Sequence, residues 1–190
     1  AFSKICKIHK GDVPFTAKAI MDSFAELKGG ITPVSCDEFE ENLLSGEVYH
    51  IGGGNSGLRV LLLAIEEQLR KDYEKNYRVH VDWPDLYSIE DIQLEHVMPQ
   101  ELTDSWKEEL GPESGDIHES LLHTLGNLTL TRNNQKISNS SFAEKRNIYE
   151  KELLIILNQT ICENNSWGKD EISARTKMLW MPPKPFTVKR

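Results

Sequence analysis

The sequence predicts an α+β fold in which a small strand, loop, strand, helix core over residues 89–157 is flanked by helices on both sides. Three observations predict it. Ile92-Gln93-Leu94-Glu95-His96-Val97 alternates apolar and polar residues and then meets Pro99, the pattern of a short strand that ends in a turn. Leu125-Gly126-Asn127-Leu128-Thr129-Leu130-Thr131 reads as a second strand. Ser141 and Glu144 have the spacing of a capping box, which opens a helix near Phe142.

The elements follow in order. Residues 1–88 read as a mainly helical part, helical in pieces over 12–45 and broken by Gly29-Gly30 and Pro33, with Ser35 and Glu38 as a second capping box. Leu58, Leu61, Leu62, Ile65 and Leu69 then recur as the stripe of a helix with one buried face. Between the strands, residues 101–119 are acidic and carry Gly111-Pro112 and Gly115, so a surface excursion with one helical turn around Trp106 is expected. Phe142, Tyr149, Leu153 and Ile156 share a face, which predicts one long helix closing the core. Residues 158–190 supply a last helix, Lys169 to Trp180, stopped by Pro182-Pro183, and a tail.

Composition bounds the function. A chain of 190 residues, 38% hydrophobic and 27% charged, suits one ordinary domain with a helical extension. Its longest apolar run, Val60 to Ile65, falls far short of the roughly 20 residues needed to cross a bilayer, so no membrane partner is expected. Cys6, Cys36 and Cys162 lie far apart without a C-x-x-C pair, which argues for a reducing, cytoplasmic setting. The chain opens Ala-Phe-Ser-Lys with neither Met nor a secretory signal and reads as processed or cut from something longer. Gly52 to Gly57 fits G-x-G-x-x-G and, with Asp82 downstream, mimics a dinucleotide-binding unit. Glu47, Tyr49 and His50 are too polar for the buried parallel strand such a unit needs, and a loop before a helix is the simpler reading.

Candidate chemistry concentrates in Glu95-His96-Val97-Met98-Pro99-Gln100, Leu125 to Leu130, and Asn134-Gln135-Lys136-Ile137-Ser138-Asn139 with Phe142 and Lys145. Hydrolysing a phosphodiester with one metal ion takes a general base, a divalent cation, and a group that orients the base. Histidine titrates near neutral pH, and the end of a strand would hold His96 rigidly. Glu95 and Asn134 are oxygen donors suited to magnesium or manganese. Strand neighbours point to opposite faces, so Glu95 joins His96 only if the strand ends or bends there, and Pro99 offers such an ending. His123 is a further candidate to approach the site.

In their order these motifs resemble the C-terminal nuclease domain of GmrSD-type modification-dependent restriction proteins, a branch of the HNH, or ββα-metal, endonucleases. Arg59 to Glu66 resembles a helix that precedes the active site, and Trp167, Ile172 and Arg175 resemble a closing W-x-I-x-R-like pattern. The resemblance implies a ββα-metal core and metal-dependent DNA cleavage with Mg2+ or Mn2+. It makes His96 the base, Asn127 the residue that stabilises the loop and orients His96, and Asn134 a metal ligand, with Glu95 where many HNH enzymes place an Asp on the metal. The interval from Asn127 to Asn134 is shorter than the family's, which puts Asn133 forward as the alternative ligand. Lys136, Lys145 and Arg146 would contact DNA phosphates. The implied partners are DNA, modified or not, and a nucleotide-hydrolysing sensor domain in the same or a partner chain. A catalytically silent DNA-binding or interaction module on the same scaffold is the alternative.

The formal charge of −8 at first argues against DNA. It is an average: residues 101–119 hold seven acids against one lysine, 131–151 five bases against two acids, and 169–190 six bases against two acids. Weak, salt-sensitive DNA binding follows.

Overall fold

A computed structural model of the chain describes residues 46, 48–49, 55–86, 92–152 and 154–180, without the side chains of 55, 56, 135, 136 and 180. The chain divides into two compact units, 1–43 and 44–190, and every described residue belongs to the second. The helical pieces expected over 12–45, with the Ser35/Glu38 capping box, lie outside the described residues, as do Gly52 to Gly54.

The apolar stripe forms helix α1 (Asn55–Tyr77), which buries Leu58, Leu62, Ile65 and Leu69 and leaves Leu61 half-buried. Arg78, at φ 52°, enters the left-handed region just past the helix end. Residues 78–85 then run without a strand, so the dinucleotide-binding pattern lacks the second strand it needs.

Strand β1 (Gln93–His96) pairs antiparallel with β2 (Leu128–Thr131), matching Gln93 with Thr131, Leu94 with Leu130, Glu95 with Thr129 and His96 with Leu128. The fold is therefore α+β, with a small antiparallel sheet among helices. The acidic excursion is more ordered than expected: it folds into α2 (Asp104–Leu110) and α3 (Ser114–Leu121). Trp106 explains this, being fully buried with its indole N–H donating 2.9 Å to Ser140 O and its ring edge-on to Phe142.

The second strand is shorter than its pattern. Leu125 to Asn127 turn as a 3-10 helix before β2 begins, because α7 (Lys169–Trp180) packs against them. A Cβ on Gly126 would run into Ile172 O and Thr176 Oγ1, so only glycine permits this approach. After β2 come α4 (Asn134–Ile137) and α5 (Phe142–Tyr149), the latter opened by the expected Ser141/Glu144 capping box.

The single long helix expected from Phe142 is instead two, α5 and α6 (Ile156–Cys162). Two distant partners make the break. Glu152 folds back onto the end of β2, accepting from Thr131 Oγ1, Arg132 N and Asn133 Nδ2. Glu66 of α1 accepts from Ile156 N and Leu157 N and so caps α6 from across the fold. Between α5, α7 and the excursion lies an apolar cluster that includes Val97, Met98, Phe142, Tyr149 and Trp167.

Candidate active site

His96 ends β1, and Asn127 holds the loop that follows it. Val97 N donates 2.9 Å to Asn127 O, Met98 N donates 2.7 Å to Asn127 Oδ1, and Asn127 Nδ2 donates to Met98 O and Leu122 O. Asn127 is fully buried, where an amide satisfied on both sides fixes one loop geometry. Trp167 donates its indole N–H to the same Oδ1, and Arg175 donates to Gly126 O and Leu128 O on either side. Burial pulls the Arg175 guanidinium down to about 9. Trp167, Ile172 and Arg175 thus form a clamp around the 3-10 turn.

The His96 ring meets His123 at Nε2, 3.2 Å from its Nδ1, and Gln100 at Nδ1, 3.4 Å from its Nε2. The Tyr49 ring stacks on His123 at 5.0 Å and tilts against His96 at 4.6 Å. An open cleft of about 730 Å³ is lined by His96, Asn134, Gln100, Glu101, Arg59 and Tyr49, among others.

Glu95 borders the cleft, but its carboxylate is engaged elsewhere. Lys145 Nζ sits 2.5 Å from Glu95 Oε1 and donates 2.7 Å to His96 O, with the lysine fully buried and Glu95 nearly so. Burial raises the Glu95 carboxyl against the pull of Lys145 and lowers the Lys145 ammonium against the pull of Glu95. The pair bears on two expectations. The Glu95 carboxylate, expected as a cation ligand, is paired with Lys145, although Glu95 lines the same cleft as His96 and Asn134. Lys145, expected to contact DNA phosphates, is instead sealed from solvent with its ammonium held by Glu95 and His96 O. Arg146 bonds Glu150 and Asn165 on the outer side of α5 and is not among the described cleft residues. The side chain of Lys136 lies outside the described set.

Of the two asparagines, Asn134 lines the cleft and anchors Nδ2 on Leu94 O, whereas Asn133 turns to Glu152. The sequence reading did not single out Arg59, Gln100 or Tyr49 as site residues. Gln100 closes the Glu-His-Val-Met-Pro-Gln motif, and Arg59 interrupts the apolar stripe of α1, which are the signals they leave; Tyr49 leaves none.

A family model for the C-terminal domain of GmrSD restriction endonucleases matches residues 34–180, most of the chain. The chain belongs to this family. No curated protein and no solved structure matches it. Every described element of this GmrSD C-terminal domain falls within the matched span. The family gives it a place among the nuclease domains of restriction systems. Among the described residues no helix is long and apolar enough to cross a membrane, and no three His, Cys, Asp or Glu side chains gather as a metal site.

Proposed function

We propose that this GmrSD C-terminal domain is an HNH-type endonuclease that hydrolyses DNA phosphodiester bonds with a divalent cation, β1, β2 and the following helix being its ββα core. The observation that carries this reading is the meeting of His96, from the end of β1, and Asn134, from the start of α4, in one cleft. His96 takes the proton from the attacking water. Asn127 acts through the backbone, holding Val97 and Met98 so that the imidazole keeps its place. Arg59, the described cleft residue with a permanent positive charge, contacts the substrate phosphate.

The Asn134 amide, which lines the cleft beside His96, fits a hard cation. Its nitrogen is anchored on Leu94 O, which supports Oδ1 as the ligand atom. Magnesium keeps several waters and binds largely through substrate phosphate, so one protein oxygen beside a base suits it better than a carboxylate cage. When bound, the cation neutralises charge on the phosphate and the leaving oxygen. The wider reading, a defence protein in the cytoplasm whose sensor domain selects modified DNA, rests on the family.

A plasmid nicking assay with magnesium or manganese tests the proposal. The wild type nicks, and His96→Ala loses about 100-fold or more of the rate. Equal cutting by both removes His96 from the chemistry, and no cutting by the wild type with either metal favours the silent module.

A further inference from the structure

The base proposed above has two ring nitrogens, and only one can take the proton from water. The structure distinguishes them by their neighbours. Gln100, which lines the cleft, presents its side-chain Nε2, a donor only, to His96 Nδ1 at 3.4 Å. His123, which is not among the described cleft residues, presents Nδ1 to His96 Nε2 at 3.2 Å. The long contact from a donor to Nδ1 is compatible with the tautomer that carries its hydrogen on Nε2 without by itself fixing it, and that hydrogen needs an acceptor. His123 Nδ1 is that acceptor when the His123 ring carries its own hydrogen on Nε2.

Resting on the nuclease reading, we propose that His123 is a positioning residue: by accepting the Nε2–H of His96, it fixes the tautomer that leaves Nδ1 as the basic nitrogen on the cleft side, free to take the proton once the attacking water displaces the long Gln100 contact. Two further features make this contact a held geometry. Tyr49 packs against both rings, near-parallel to His123 at 16° and tilted to His96 at 55°. The backbone on either side is fixed too. Thr124 N and Thr124 Oγ1 donate to Leu121 O just past His123, and Lys145 holds His96 O. Asn127 sets where the His96 backbone lies, and His123 sets which of its nitrogens carries the hydrogen. The second task is the one a carboxylate or a carbonyl performs for catalytic histidines in general.

The test uses the full chain with His123→Phe, which keeps a ring against Tyr49 but removes the acceptor, and His123→Asn, whose Oδ1 stands near the place of Nδ1. Long-range 1H–15N spectra at alkaline pH, with the His96 signals assigned by their loss in His96→Gln, read the tautomer directly. The wild type and His123→Asn show the Nε2–H form of His96, whereas His123→Phe shows a mixture. In nicking kinetics His123→Phe loses about 10- to 100-fold in kcat with KM within about two-fold, and His123→Asn recovers most of it. An unchanged His96 tautomer in His123→Phe overturns the proposal, as does a loss carried by KM alone. Should no variant nick, the wild type included, the nuclease reading falls while the spectra still decide the role of His123.

Discussion

At the scale of single residues, the buried Glu95–Lys145 pair makes the sharpest prediction. Lys145→Met leaves a nearly inaccessible carboxylate without its partner, a change that costs about 3–5 kcal/mol when such a pair is broken from one side. Burial already holds the Glu95 carboxyl above its ordinary 4.5, and Lys145 is the group that opposes this most. Removing Lys145 raises it further. A carboxyl raised in the native state binds its proton more tightly there than in the unfolded chain, so stability is greatest below the ordinary value and is lost as pH climbs through the raised one. Urea unfolding of Lys145→Met should therefore show a midpoint that falls more steeply than wild type between about pH 5 and 8. The double variant Glu95→Gln/Lys145→Met, with nothing left to ionise, should be flatter, and equal slopes in the two variants would refute the account. Gly126 makes a second prediction. Gly126→Ala forces a methyl into Ile172 O and Thr176 Oγ1 and should destabilise by about 1–3 kcal/mol, read as a lowered Tm; an unchanged Tm would mean α7 does not press on the turn as described.

At the scale of elements, what was legible in the sequence depended on the range of the interaction that makes each element. α1, β1, the start of α5 and α7 are set by local periodicity, a capping box or a stop signal, and the sequence pattern located them. The 3-10 turn, the α5/α6 break and the two helices of the excursion are set by Arg175, Glu66 and Trp106, each acting on a segment far away in the chain. No local pattern announces such partners. The site divides in the same way: the motifs carried His96, Asn127 and Asn134 into view, but only packing shows that Lys145 faces inward to Glu95 and the His96 carbonyl. Glu66 tests this account of α6. Its carboxylate accepts from Ile156 N, Leu157 N and Arg70 Nε, although burial raises it above its usual value. Glu66→Ala strands two helix N–H groups and takes the carboxylate from a mostly buried guanidinium that keeps only Pro84 O and Leu154 O as acceptors, and should cost about 2–4 kcal/mol, with Glu66→Gln milder because it keeps an acceptor. Hydrogen exchange should show the added opening first at Ile156 and Leu157; uniform loss of protection across the fold would argue that the cap does not define α6.

At the scale of the whole molecule, the charge distribution decides how the domain meets DNA. The excursion carries Glu108, Glu113 and Glu119 exposed on α2, α3 and the turn between them, and His118 Nε2 stands 2.9 Å from Pro99 O at the cleft rim. An acidic surface is thereby fastened beside the proposed site. The basic segment 131–151 offsets it less than its composition suggests, since Lys145 is sealed in its pair and Arg146 is bonded to Glu150 and Asn165. With Arg59 lining the cleft and Arg132 exposed just past β2 among the described cations, about two phosphate contacts are expected, so affinity for a DNA duplex should weaken about 10-fold between roughly 50 and 200 mM salt. Anisotropy titrations across that range measure the slope. Replacing Glu108, Glu113 and Glu119 together with Gln should tighten binding several-fold at low salt and change little at high salt, because screening already removes their repulsion there. A slope equivalent to six or more phosphates, or a triple variant that binds no better at low salt, would show that DNA approaches the domain by a face other than the one that holds His96.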